Sequence, residues 1–422
     1  MLLKLKQLFA RLKQSKDGKT LVSNFAYLSL LQVVGYVFPF ITMPYLARVI
    51  GVEGFGKIAF AAAIMIWIQT IVDWGFNFTA TRDVAKNRDN KEKVSEIFSN
   101  VFWSRILLML LSLCVLLVCV FAIPKLKENA DVILISFLMI PGHIMFPDWF
   151  FQAMERMKYI TILNLLSKTL FTIAVFLFIK EKQDYLLQPL FTSLGFVVSG
   201  IIAMYYILVK WKVQLRFISF RSVFRTIKSS TDVFVNNIVP NFYNSFTSIL
   251  LGFVGGDFAN GILDAGRKFV TLAIQGIKTI SRVVFPFLVR KSNKHRLYEK
   301  LMTFLSLFLS VCLFAFAPIL MRLFFTQDFF EGGVIVMRIM SIYVIAIAVN
   351  DIYGINYMVV NGLEKQLRNI TIVTSIIGFI ISIYLILSLE YIGAALTITI
   401  SGLLRAIVIF AYVKLKYKKN EN

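Results

Sequence analysis

The chain has 422 residues and a formal net charge of +22, and 58% of its residues are hydrophobic. A soluble domain holds roughly 45–50% apolar residues, and the mean hydropathy of +0.76 excludes one here. The basic excess is scattered through short segments between apolar runs, which argues against a nucleic-acid partner.

The apolar runs are about 20 residues long, enough to cross a roughly 30 Å hydrocarbon core as helices. Barrel strands would be shorter and would alternate. Before the first run, MLLKLKQLFARLKQ sets Leu5, Leu8 and Leu12 among lysines. This pattern predicts an amphipathic helix lying on the membrane surface, with a disordered basic tail as the alternative. The first run is too long for a signal peptide and has no small-residue cleavage site.

About twelve spans follow, near 24–46, 57–79, 101–123, 132–152, 160–180, 187–209, 232–254, 267–289, 301–323, 333–357, 369–388 and 391–413. The turn at 387–392 is very tight. Cys114, Cys119 and Cys312 fall in apolar stretches and read as buried small hydrophobes. The loops alternate in charge. Lys4 to Lys19, Arg82 to Lys93, Arg156 and Lys158, Lys210 to Lys228, Arg290 to Lys300, Lys365 and Arg368, and Lys414 to Lys419 form the basic set. The other set is short and poor in Lys and Arg; FTQDFFEGG at 325–333 has neither. The positive-inside rule then puts both termini in the cytoplasm. The predicted parts are a basic amphipathic segment (1–20), a six-helix bundle (21–209), a basic linker (210–231), a second six-helix bundle (232–413) and a basic tail (414–422). The aromatic and basic mixture of the linker suits a helix resting on an anionic leaflet.

A repeat supports two halves. RVIGVEGFGKIAFA at 48–61 resembles FVGGDFANGILDA at 253–265, with Gly51, Glu53, Ile58 and Ala61 opposite Gly255, Asp257, Ile262 and Ala265. PDWFFQAME at 147–155 sits opposite GINYMVVNG at 354–362, pairing Asp148 with Asn356 and Trp149 with Tyr357. Six spans per half preserve orientation, so the halves are predicted to be related by a pseudo-two-fold along the membrane normal, with a pathway between them.

DAGRKFVTLAIQGIKTISR, residues 264–282, is unusually charged for a span. At about 100° per residue, Arg267, Thr271, Gln275, Lys278 and Arg282 share an arc of roughly 80°. Lys278 falls near the midplane, where a lipid-facing charge costs at least ~2.5–3.5 kcal/mol. It is expected to line a water-filled cavity, or else to form a structural ion pair with Asp73. Arg267 and Arg282, near the span ends, have snorkelling as an alternative. Asn237, Asn241, Asn244 and Ser248 form a second stripe beside Pro240. Gln69, Asp73 and Asn77 form a third. Tyr343, Asn350, Gly354 and Tyr357, with Asp351 adjacent, form a fourth. The alternative for such residues is interhelical hydrogen bonding. Arg48, Lys168 and Arg405 add cations to the predicted cavity; Arg105 and Arg338 are expected at the membrane interface. A cavity of this sign suits an anion joined to a hydroxyl-rich partner.

Three stretches carry a family resemblance. PYLARVIGVEGFGKIAF, DWGFNFTATRDVAKNRDNKEKVSEIFSN and FPDWFFQAMERMKYITI resemble the Wzx-type polysaccharide flippases of the multidrug/oligosaccharidyl-lipid/polysaccharide exporter superfamily. The turn Gly51 to Gly56 and Thr81-Arg82-Asp83 match the family pattern; the second half departs more. The resemblance implies an all-α membrane protein with two six-helix bundles and a V-shaped central cavity. It implies alternating access in a bacterial inner membrane, carrying an undecaprenyl-pyrophosphate-linked oligosaccharide, such as an O-antigen unit, to the periplasmic leaflet. A glycan polymerase and chain-length proteins would be its partners, alongside membrane lipids.

Two other classes stay open. A cation or drug antiporter of the same superfamily should have an acidic lumen. A membrane glycan polymerase should have sizeable catalytic loops. His143 and His295 are the two histidines, without metal-ligand spacing, and there is no phosphate-binding glycine loop. No cofactor, metal or catalytic residue is expected. Asp73 and Asp351 are the candidate ion-coupling residues.

Overall fold

The computed structural model describes residues 16–290 and 295–420, all-helical apart from turns. The predicted surface helix at the extreme N-terminus lies outside them. Helix α1, Lys16–Asp73, has 58 residues, about 87 Å if straight and far longer than a bilayer core. Gly51 breaks it, at φ 68° and ψ −177°, so two expected spans join without a loop. The second arm ends at Asp73. Trp74 (φ 41°) and Gly75 (φ 80°) then turn the chain into α2, Phe76–Lys86. Helix α3, Lys91–Ala122, starts at Asn90, whose side chain accepts the Lys93 N–H at 3.0 Å.

Four short helices follow: α4 (Pro124–Glu128), α5 (Ala130–Phe137), α6 (Met139–Met145) and α7 (Asp148–Ala153). Then come α8 (Met157–Phe178), α9 (Leu187–Tyr205), α10 (Phe220–Ile238), α11 (Ser245–Val254), α12 (Gly256–Arg290), α13 (His295–Phe324) and α14 (Gln327–Val349). A π-helical segment, Asn350–Val359, continues α14. Helix α15, Glu364–Asn420, is broken at Glu390 (φ 47°, ψ −122°), the tight turn expected at 387–392. Among the described residues, eight helices are long and apolar enough to cross a membrane. The expected span 232–254 is not among them, because a 3₁₀ turn at Val239–Phe242 interrupts it, whereas 267–289 lies within the continuous helix α12.

The helices form two compact units. The first comprises the described part of Met1–Thr42, with Ile68–Lys180 and Leu186–Val235. Its core is the run from Phe146 to Ala153 packed on Phe76, Phe98 and Leu108; Trp149, Phe150 and Phe151 are fully buried. The start of the FPDWFFQAMERMKYITI stretch is therefore a packing motif. The second unit comprises Met43–Trp67, Glu181–Tyr185 and the described part of Asn236–Asn422. In it, α14 packs on α12, α13 and α15.

The repeat is visible inside the second unit. Gly51 and Gly256 both adopt positive φ, 68° and 73°, so the backbone equivalence runs one residue beyond the Gly51–Gly255 pairing. A Cβ on Gly56 would overlap the Asp257 carbonyl, and one on Gly261 would overlap that of Val52. With Gly51 set on Gly256, Gly56 matches Gly261 and Val52 matches Asp257, so the contact is reciprocal. The other repeat pair closes alike. Arg156 N–H donates to Phe151 O and Leu363 N–H to Met358 O, at 2.8 Å each, after positive-φ Glu155 and Gly362. Two helix ends closed the same way, at corresponding places, support duplication more firmly than the sequence matches alone.

Candidate functional site

Helix α12 has two faces. Val270, Ile274, Ile277 and Ser281 are buried, spaced four, three and four residues apart. Thr271, Gln275 and Lys278 are exposed, and a Cβ on Gly276 would meet nothing within 4 Å. The polar stripe is thus the face that its own unit leaves uncovered. The Arg282 side chain lies outside the described ones. Arg267 behaves differently from its neighbours on the stripe. It donates to Asp264 and to Ser248 Oγ, both at 3.2 Å, while Lys268 binds Asp264 Oδ2 at 2.8 Å and lies over the Phe55 ring. The buried Asp264 carboxylate is thus paired with both cations at once. Asp264 therefore cancels part of the expected positive charge at this end of the helix.

Two predicted stripes do not survive as continuous helical faces. The 3₁₀ turn Val239–Phe242 separates Asn237, on α10, from Asn244 at the start of α11, so the 3.6-residue spacing fails across Pro240. Asn237 is exposed, Asn241 and Asn244 are half-buried, and Asn244 donates to the Pro240 carbonyl. Beyond Asn350 the wider π turn changes which residues share a face. Asn350, Asp351 and Gly354 are buried, and Asn356 donates to Ser281, Tyr298 and the Asp351 carbonyl at 2.7, 3.1 and 3.0 Å. This is a packed network, not a cleft wall. Of the remaining cavity candidates, Arg48 is exposed, Lys168 is half-buried beside Gly35, and half-buried Arg405 has an Nε without a hydrogen-bond partner among the described residues.

The third stripe converges in the first unit, around a group expected elsewhere. Arg105, predicted at the interface, is 1% exposed. Its Nη2 pairs with Asp73 Oδ1 and reaches Asn77 Oδ1 at 3.4 Å. Asn77 Nδ2 donates to Asp73 Oδ2 at 3.3 Å, and His143 Nε2 lies 3.2 Å from Asp73 Oδ1 and 3.1 Å from Gln69 Nε2. Within its own unit Asp73 thus has Arg105 and His143 as ionic partners. Sequence reasoning missed Arg105, His143 and Asp264. The signal available was that an acid inside an apolar span calls for a cation on a neighbouring span.

The sequence profile described as "Polysaccharide biosynthesis protein" matches residues 21–292. An Escherichia coli (strain K12) protein named "Putative O-antigen transporter" is 29% identical over 400 residues, covering 93% of this chain and 96% of its own. A Shigella dysenteriae protein of the same name is 27% identical, covering 93% and 99%. Among solved structures, an inward-facing multidrug resistance MATE family transporter of the MOP superfamily aligns with a TM-score of 0.73 at 13% identity, over 94% of this chain and 98% of that one. The lipid II flippase MurJ, in an inward closed conformation, aligns at 0.72 and 13% over 93% and 87%. With the profile covering more than half of its length, the chain belongs to the polysaccharide biosynthesis protein family, on a fold shared with MOP superfamily transporters.

Proposed function

We propose that this protein is a flippase that carries an undecaprenyl-pyrophosphate-linked oligosaccharide, of the O-antigen or a similar surface glycan, from the cytoplasmic to the periplasmic leaflet. It works by alternating access in a bacterial inner membrane, with both termini cytoplasmic, and draws on an ion gradient. The relatives named as O-antigen transporters support the cargo class, and the fold shared with a lipid II flippase is consistent with it. The observation that carries the reading is the uncovered face of α12. Thr271, Gln275 and Lys278 are exposed on it, and a charge at the depth the sequence gives Lys278 is accommodated beside water rather than lipid. A cation with amide and hydroxyl neighbours suits a pyrophosphate bearing sugars.

The test is glycan display measured beside membrane abundance. Lys278→Ala abolishes display at normal abundance. Lys278→Arg retains part of it, because charge matters more than donor geometry at a transient site. Lys278→Glu is the most damaging, since attraction becomes repulsion. Normal display by the alanine variant overturns the assignment of Lys278.

A further inference from the structure

The cluster around Asp73 contains a conflict that one proton resolves. His143 Nε2 stands 3.1 Å from Gln69 Nε2, and 3.2 and 3.4 Å from the two Asp73 oxygens. A single ring nitrogen either carries hydrogen and donates or carries a lone pair and accepts. Toward the carboxylate it must donate; toward the amide nitrogen it must accept. Neutral imidazole with its lone pair at Nε2 serves Gln69. With hydrogen at Nε2, as the other neutral tautomer or as imidazolium, the ring donates to Asp73 and Gln69 turns its amide oxygen inward, and the adjacent carboxylate favours the imidazolium. Among the described residues, the charged groups at His143 are Asp73 from α1 and, paired with that carboxylate, Arg105 from α3, while α9 contributes the Phe196 ring at 6.3 Å. Arg105 engages Asp73 through Nη2, and its buried Nε and Nη1 have no partner among the described residues. The guanidinium is thus only partly bonded and has donors left for a second arrangement.

The position of the cluster matters as much as its chemistry. Asp73 is the last residue of α1, next to the positive-φ pair Trp74 and Gly75. A tryptophan at φ 41° is strained and needs outside support. That support comes from α10. Trp74 stacks on Phe234 with centroids 3.9 Å apart and planes 3° from parallel, and its Nε1 reaches Thr231 at 3.4 Å. Thr79 Oγ1 meets Ser230 Oγ at 2.8 Å, and a Cβ on Gly75 would come within 2.8 Å of Val233. Helix α10 also contains one of the points at which the chain passes between the two units, after Val235. A change in how Asp73 is held therefore acts one residue from a strained break, and the break is keyed to α10.

We propose that Gln69, Asp73, Asn77, Arg105 and His143 form a proton-binding site, with His143 taking the proton, and that its charge state sets the Trp74–Gly75 break and through it α10. The use of that proton, to drive a transport cycle, rests on the flippase reading above; the binding itself does not. Such a site is a local electrostatic switch on an element with two arrangements.

The chain has two histidines, so full-length protein labelled with ¹⁵N-histidine in lipid nanodiscs gives two imidazole signal sets, assigned with His143→Gln. The His143 set is expected to pass from the neutral to the doubly protonated pattern on acidification, within the pH range over which the protein stays folded. Asp73→Asn should alter that titration and leave His295 as it was. A His143 imidazole that keeps one state across this range, or is indifferent to Asp73→Asn, overturns the site. Hydrogen exchange of peptides covering 70–80 and 225–238, corrected for intrinsic rates, should change with pH in the wild type and not in His143→Gln. Equal pH response in both overturns the link to the break. No cargo is present in either measurement. If His143 titrates as expected while Lys278 variants display normal glycan, the assigned cargo contact fails and the proton site stands. If Lys278 behaves as predicted while His143→Gln displays full glycan at normal abundance, the proton drive fails and the flippase reading stands.

Discussion

Arg105 shows how a single charge is read differently in one and in three dimensions. Near the start of an apolar run, a basic residue is ordinarily an interfacial anchor; here it is buried against Asp73. The pair contributes little net stability, because desolvation opposes its attraction, but removing one member leaves an uncompensated charge. Arg105→Leu is therefore expected to cost about 3–5 kcal/mol, and Arg105→Leu with Asp73→Leu to recover most of that loss. Thermal unfolding in detergent, followed beside membrane abundance, measures both. Equal destabilisation of the single and double variants would show that the pair is not the source of the cost. Lys278 is the opposite case: periodicity sets it on a polar stripe with Thr271 and Gln275, and α12 is regular there and exposes all three.

Two elements carry further consequences. The reciprocal approach of Gly56 to Asp257 and of Gly261 to Val52 leaves no room for a methyl group. Gly56→Ala and Gly261→Ala should each destabilise by about 1–3 kcal/mol through overpacking. Their effects should not add, because a single separation of the two helices relieves both overlaps. A double-mutant cycle on thermal unfolding decides this, and additive losses would mean two independent sites. The second element is the segment from Lys212 into α10. Ser95 and Ser99 on α3 accept the N–H groups of Gln214 and Arg216, and Trp103 donates to the Arg216 carbonyl at 3.0 Å. Phe217, Phe220 and Phe224 nevertheless remain 91%, 71% and 63% exposed, among Arg216, Arg221 and Arg225. Clamped on one side and aromatic and basic on the other, the segment is suited to an anionic leaflet, at about 1 kcal/mol per basic contact. A peptide of residues 210–238 should bind anionic vesicles and lose binding when its basic residues are neutralised; unchanged binding would leave the charges a role in topology alone.

At the scale of the whole molecule, the alternation of basic loops predicts that the 210–230 segment is cytoplasmic. A reporter fused at Lys228 should read cytoplasmic, and a periplasmic reading would overturn the two-halves arrangement with it. The family, the helical membrane class and the duplication were legible in the sequence because each depends on local quantities: run length, loop charge, and short motifs whose spacing survives divergence. The polar face of α12 was legible for the same reason, since a regular helix turns its side chains at a constant angle. The stripes at Asn237 to Ser248 and Tyr343 to Tyr357 were not, because a 3₁₀ turn at Pro240 and a π segment after Val349 change that angle, and neighbouring helices decide where such turns are tolerated. Nor was the Asp73 cluster, whose members come from α1, α2, α3 and α6 and lie up to 74 residues apart along the chain. Composition and periodicity report what one helix presents; which cation meets which carboxylate depends on the packing of several, and only the tertiary structure decides it.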